Sequence, residues 1–222
     1  ELSDFGMGMV LFTSFAIGLS LFFLLPSFLG GLFFKHSEAH ANIFEGVLRL
    51  IMFVAYIWII SFSKDIKRVF QYHGAEHKAI YTYEKGEELT VENVRKYTTL
   101  HPRCGTSFLI TVMIISIIVF SVADSFIIFS DNSIIRHISK FGIRIAFLPL
   151  IASIAYEFQR FTSRHLENFL VKMLAAPGMW LQMITTKEPD DSQLEVGIVA
   201  LKVALGEENI ENATEISGEE KK

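Results

Sequence analysis

Two short strings put metal-ligand chemistry into one polar stretch of this chain. The first is His73-Gly74-Ala75-Glu76-His77. Histidines at i and i+4 of a helix share a face, about 6 Å apart, close enough to grip one ion. With a carboxylate between them the order is H-x-x-E-H, the inverted zinc-protease pattern. In that chemistry the two imidazoles hold Zn2+ and Glu76 takes a proton from the water. The second string is His101-Pro102-Arg103-Cys104-Gly105. A ligand, two spacers, a ligand and a glycine form the outline of a zinc knuckle. Pro102 biases His101 to an extended backbone, and Gly105 permits a tight turn after the thiolate.

Each string alone has a plainer reading. The first could be a solvated helix turn whose histidines pair with acids, and Glu76 could bridge to Lys78 or a nearby Arg. The second could be a turn with Cys104 simply buried. Both lie in one insert of 43 residues, 63–105, that holds the only cysteine. Together they point to a metal, with Zn2+ first. Co2+, Fe2+ and Mn2+ are the alternatives, and the thiolate argues against Mn2+.

The ligand count separates two kinds of site. His73, His77, His101 and Cys104 would close a tetrahedral structural site, which so small an insert could use as a staple. His73 and His77 with one of His101, Cys104 or Glu157 would leave an open, catalytic position. Glu157 qualifies because it sits at the expected inner end of the last span. The carboxylate of Glu76 tips the balance towards chemistry, since a closed site has no use for it.

The elements that carry these strings are mostly apolar. Hydrophobic residues make up 51% of the 222 and charged residues only 20%, bunched so that apolar runs alternate with polar inserts. That is the pattern of a small polytopic membrane protein, all-α, with about four transmembrane helices. The net charge of -4 gives no basic surface for nucleic acid. One cysteine excludes an intrachain disulfide framework. The chain opens on Glu1, and its first apolar run has neither a basic flank before it nor a small-residue cleavage site after it. It therefore reads as a span, not a cleavable signal.

The spans fall at residues 7–25, ended by Pro26, then 43–62, 107–129 and 143–161. The first covers roughly 28 Å at helical rise. Residues 28–34 are too short to span and read as interfacial. The last run is the most broken, with Arg144, Pro149, Glu157 and Arg160, but the charge pattern needs it. Lys and Arg number eight in residues 63–105 and seven from Arg160 on, against Lys35 alone, and Arg136 with Lys140, in the other loops. The positive-inside rule then puts insert and both termini in the cytoplasm, in the cell membrane.

Glu45 and Arg49, at i and i+4 within the second span, are expected to pair with each other. Asp124 is expected near the outer boundary. His36, Glu38 and His40 read as a solvated outer loop, and His137 and His165 have no evident partner. Tyr72, Tyr81 and Tyr83 read as packing residues. Thr90 should N-cap a short helix running to about Tyr97.

The chain divides into residues 1–62 (two spans), 63–106 (the insert), 107–161 (two spans), 162–205 (interfacial and cytoplasmic helices) and 206–222 (a disordered acidic tail). In the fourth segment, residues 166–174 and 179–184 are apolar on either side of Pro177-Gly178 and include Trp180. They read as a helix lying in the membrane lipid interface. Glu188-Pro189-Asp190-Asp191 is a turn with a candidate N-cap, and Leu194, Ile198, Leu201 and Leu205 stripe a last helix.

The string from Lys64 to Thr106, KDIKRVFQYHGAEHKAIYTYEKGEELTVENVRKYTTLHPRCGT, resembles the core of the YqhQ-like (DUF1385) family of bacterial membrane proteins. APGMWLQMITTKEPDDSQLEVGIVALK, Ala176 to Lys202, is also similar to it. The resemblance covers most of residues 45–205. It implies a predicted metal-dependent enzyme, with metal at His73, Glu76, His77, His101 and Cys104, but no particular reaction. It also implies an upstream Gly-rich cytoplasmic segment with a G-G-Q-A-V-x-E-G-V-M-M-R-like motif, which this sequence does not contain.

Two functions follow as expectations. One is a membrane-embedded zinc-dependent hydrolase, peptidase-like, with its site at the cytoplasmic face and Glu76 moving the proton. The other is a non-catalytic factor whose metal folds the insert, and which docks on a membrane-protein complex such as the translocation or quality-control machinery.

Overall fold

The computed structural model describes the backbone of residues 3–34, 37–126 and 133–207. The side chains of Asp4, Glu38, Ala39, 124–126, 133–134 and 136–137 are not among those it describes. His36 and most of the acidic tail (208–222), with the side chains of Glu38, Asp124 and His137, therefore lie outside the described residues. Those described form helices and turns, with no strand among them. Four helices are long and apolar enough to cross a membrane: Phe5–Phe33, His40–Ile60, Gly105–Ala123 and Ile138–Arg164. All four expected spans are present.

The chain resolves into two compact units. The first comprises residues 1–56 and 108–165 and contains most of the apolar helix. α1 (Asp4–Leu19) runs through a π-helical turn at Ser20–Leu24 into α2 (Leu25–Phe33). Pro26 was expected to end this helix and does not. It stands in the first turn of α2 just after the π turn, where the Leu25 N–H reaches back five residues to the Ser20 carbonyl. Such a bulge absorbs the missing proline donor without breaking the rod. The residues expected to be a separate interfacial piece thus extend the first span.

α3 (Glu38–Ile60) carries Glu45 and Arg49 one turn apart, and they pair at 3.0 Å as the spacing predicts. Ser27 of α2 donates to the same Glu45 oxygen at 2.9 Å. The Arg49 guanidinium also lies over the Phe23 ring. Gly30 lets Glu45 approach, since a Cβ there would stand 2.8 Å from Glu45 Cγ. α6 (Gly105–Phe126) and α7 (Ser133–Arg164) supply the last two spans. Pro149 lies inside α7, and Ser153 Oγ donates to its carbonyl at 2.8 Å. His165 caps the end of α7 through the Phe161 carbonyl, and His40 contacts Ser37 and stacks on Phe34.

The second unit comprises residues 57–107 and the chain from 166 on. The polar insert and the tail helices, separate segments by sequence, fold together. α4 (Lys64–Glu84) carries the first string, and α5 (Val91–Arg95) is N-capped by Thr90, whose side chain accepts from Asn93 N–H. α8 (Phe169–Thr185) is one continuous helix with Pro177 inside it. α9 (Asp191–Ala204) begins with a capping box in which Asp190 and Gln193 each accept the other's backbone N–H.

The core of this unit is small: Ala75, Ala79, Val94, Leu194 and Ile198. Gly197 of α9 lies against the backbone of Ala75, so α4 and α9 pack in near-backbone contact. Gly74 explains itself in the same way. A Cβ there would overlap the Lys187 carbonyl oxygen, where the chain leaving α8 crosses α4 and Lys187 N–H bonds Phe70 O. The two small residues inside H-G-A-E-H are thus set by packing against the tail.

Candidate metal centre

His73 and His77 stand one turn apart on α4, with ring centroids 4.4 Å apart. Cys104 follows the turn 101–104 that leads into α6. The ligand atoms of these three residues all lie within 4.8 Å of one another. Gly105, expected to permit a tight turn after the thiolate, is instead the first residue of α6 and has no positive φ. The turn is made at Pro102 and Arg103.

The outer nitrogens of both imidazoles are committed. His73 Nδ1 meets the Thr185 carbonyl at 2.9 Å, and His77 Nδ1 meets the Thr99 carbonyl at 2.5 Å. A carbonyl oxygen only accepts, so each Nδ1 carries a proton. Each Nε2 is left to face inward. His73 Nε2 reaches Cys104 Sγ at 3.2 Å. This is how the outer partners of metal-binding histidines fix their tautomer.

The hydrogen-bonding surroundings of the sulfur favour its thiolate form. Burial alone would push the Cys104 thiol up, but hydrogen bonds from His73, His77 and Thr106 pull it down to about 5. Thr106, in the first turn of α6, donates its backbone N–H to the sulfur at 3.4 Å, and its hydroxyl oxygen lies 3.2 Å from it. For His73, burial works against the charged ring. The hydrogen bonds to Cys104 and the Thr185 carbonyl, with the Cys104 and Glu76 charges, outweigh it and raise the pKa. Thiolate is the form that ligates metal.

His101 is not in this group. Its Nδ1 accepts from Arg103 N–H at 3.3 Å, and its Nε2 faces Glu84 at 3.5 Å. Glu84 is itself paired with Arg103. The ring lies edge-on to Tyr81, which stacks on Tyr97, consistent with a packing role for that tyrosine. Burial lowers the His101 pKa, against the pull of Glu84. Glu157 belongs to the other unit, where it is exposed and pairs with Arg160 at 3.5 Å. Glu76 is exposed on α4, one residue before His77, with its charge acting on the His73 ring. Lys78 does not bridge to Glu76. It is buried and bonds Glu188 and the Arg95 carbonyl.

Sequence reasoning missed Gln182, on α8. Its side chain is fully buried, and its amide grips both backbone groups of His101. Oε1 accepts His101 N–H at 2.7 Å, and Nε2 donates to His101 O at 2.8 Å and to Ser107 Oγ at 2.5 Å. Gly178, one turn earlier, admits Ser107, whose Cβ would stand 2.8 Å from an added Cβ. The available signal was a run of polar residues, Gln182, Thr185 and Thr186, on one side of an otherwise apolar helix.

Fold and site define a multi-pass helical membrane protein with a His-His-Cys cluster built within its second unit. The match to the family model for "Protein of unknown function (DUF1385)" runs over residues 1–207, and the chain belongs to that family. It is 38% identical over 195 residues to the "Uncharacterized protein YqhQ" of Bacillus subtilis (strain 168). That alignment covers 86% of this chain and 58% of the relative, so the chain spans little more than half the relative's length. No solved structure matches.

Proposed function

We propose that the protein is a membrane-anchored zinc-dependent hydrolase whose centre is the three-ligand cluster His73, His77 and Cys104, at the cytoplasmic face of the cell membrane. The observation that carries this reading is the pair of committed Nδ1 atoms, which leave both Nε2 atoms to the group that contains the Cys104 sulfur. Three convergent N/S donors suit zinc, and catalytic zinc sites typically use three protein ligands and keep one position open. His101 is occupied by Glu84 and Arg103, which leaves that position without a fourth protein ligand. An ion held there supplies Lewis-acid polarisation and an activated water. Glu76, exposed beside His77, is placed on α4 to accept and return a proton at its carboxylate. The excess of Lys and Arg flanking this unit supports the cytoplasmic side. Cys104 as a nucleophile is disfavoured because only 6% of it is exposed.

A second reading rests on burial. His77 and Cys104 are both buried, and the buried apolar cluster that joins α4, α5 and α9 is only five residues, so a metal would also staple the fold. The protein would then be a non-catalytic factor that docks on a membrane complex such as the translocation machinery.

Elemental analysis of the full chain purified in nanodiscs, with Glu76→Gln beside wild type, separates the two. The hydrolase reading expects about one zinc per chain in both proteins. It also expects new protein N-termini in the membrane proteome only of cells making the wild type. Zinc in both with identical N-terminal profiles favours the structural reading. Loss of zinc in Glu76→Gln makes Glu76 a ligand and removes it as the proton carrier.

A further inference from the structure

α8 has two apolar faces, and the unit buries only one. Val171, Gly178, Leu181, Gln182 and Thr185 face inward and are buried. Phe169, Leu170, Met173, Leu174, Trp180 and Met183 project outward, with Phe169 73% and Trp180 66% exposed. At 100° per residue these outward positions form one broad stripe, with Pro177 within it. Lys172 is the only charged residue of the helix. A contiguous apolar surface of that kind is not left in water without a partner.

The partner is indicated by what α8 touches. Gly178 packs on Ser107, in the first turn of α6, and the candidate span Gly105–Ala123 starts there. The middle of α8 therefore lies at the level where a membrane helix begins. In sequence, the span Ile138–Arg164 ends only four residues before Phe169. α8 is too committed to cross the bilayer itself, because its other face bonds the backbone of His101 through Gln182 and the ring of His73 through the Thr185 carbonyl. A 17-residue helix with a wholly apolar outer face and a Trp belongs in the headgroup–acyl boundary.

We propose that α8 lies in the plane of the membrane, its Phe169–Met173–Trp180–Met183 face sunk into the lipid interface. The opposite face then carries the supports of the His-His-Cys cluster. A helix is about 10–12 Å across with its side chains, so the cluster stands within roughly that distance of the lipid. The inference holds whether or not the cluster binds metal.

Trp180 and Trp58 are the only tryptophans, so Trp58→Phe leaves Trp180 as the sole reporter in the full chain. Trp58→Tyr serves if the first variant gives little protein. The variant is placed in nanodiscs of phosphatidylcholine and phosphatidylglycerol carrying nitroxides at the top or the middle of the acyl chain. The expected result is blue-shifted emission, quenched several-fold more by the shallow nitroxide than by the deep one and weakly by acrylamide. Strong acrylamide quenching, with no effect of the lipids, means a water-exposed face and overturns the proposal. Shielding from acrylamide and from both lipids means a protein cover, a second copy or a partner, and overturns it too. Strongest quenching by the deep nitroxide means a spanning helix and does the same.

Discussion

In the unit that holds most of the apolar helix, Glu45, Arg49 and Ser27 turn their polar atoms on one another. In the other unit, His73, His77 and Cys104 turn their outer atoms to backbone and Thr106, and their inner donors onto a common point. The first arrangement is a closed charge balance. One carboxylate and one guanidinium meet at helical spacing, Ser27 and Arg49 both donate to Glu45 Oε2, and Arg49 Nε is buried without a hydrogen-bond partner. The second is oriented from outside, as metal ligands are. What separates the two is chemistry: opposite charges meeting each other in the first, several metal-ligating atoms of neighbouring side chains gathered together in the second.

The largest expected effect tests the closed side. Glu45→Gln strands the Arg49 charge in an apolar bundle, and breaking one partner of a buried pair costs about 3–5 kcal/mol. The double replacement Glu45→Gln with Arg49→Met should recover most of it, because neither charge then needs desolvation. Thermal unfolding in detergent reads both, and the zinc content of the single variant should stay at the wild-type level. Zinc lost along with Glu45 would join two clusters that the comparison keeps apart.

A middle effect tests the oriented side. Gln182→Glu keeps an acceptor for His101 N–H but cannot donate to His101 O or to Ser107 Oγ. Leaving a buried carbonyl unsatisfied costs about 1–3 kcal/mol. Hydrogen exchange should rise in residues 97–107 and stay unchanged in residues 38–56. Unchanged exchange in residues 97–107 would mean that Gln182 is a passenger there.

The ease of reading these features from sequence follows their range. H-x-x-E-H, the Glu45–Arg49 pair, the Thr90 cap and the Asp190 cap are all spacings within one helix or its first turn, and periodicity alone fixes them. The conjunction of His73 and His77 with Cys104 was legible because both strings sit in one short insert. What could not be read was long-range. Gln182 reaches His101 across 81 positions, and Gly74 owes its identity to Lys187 more than a hundred residues later. The continuity of the first helix through Pro26 depended on a π turn that no composition signals. That the structure keeps His101 outside the group of His73, His77 and Cys104 was hidden for the same reason. Its competitor, Glu84, lies on α4 two turns beyond His77 and gives no local sign that it will engage the ring.

That competitor supplies the smallest and sharpest test. Glu84→Gln removes the charge facing His101 Nε2 and the pair with Arg103, whose side chain is 57% exposed. Exposed pairs are worth about 0–1 kcal/mol, so stability should hardly move. The informative readout is coordination. X-ray absorption on the zinc-loaded variant should count the same nitrogen and sulfur neighbours as the wild type, because Arg103 N–H still occupies His101 Nδ1 and Gln182 still fixes its backbone. A gained imidazole in the variant would mean that Glu84 alone holds the third histidine away, and that the centre closes once it is released. Four protein ligands already in the wild type would turn the open, oriented cluster into a closed one, and its contrast with Glu45 and Arg49 would be lost.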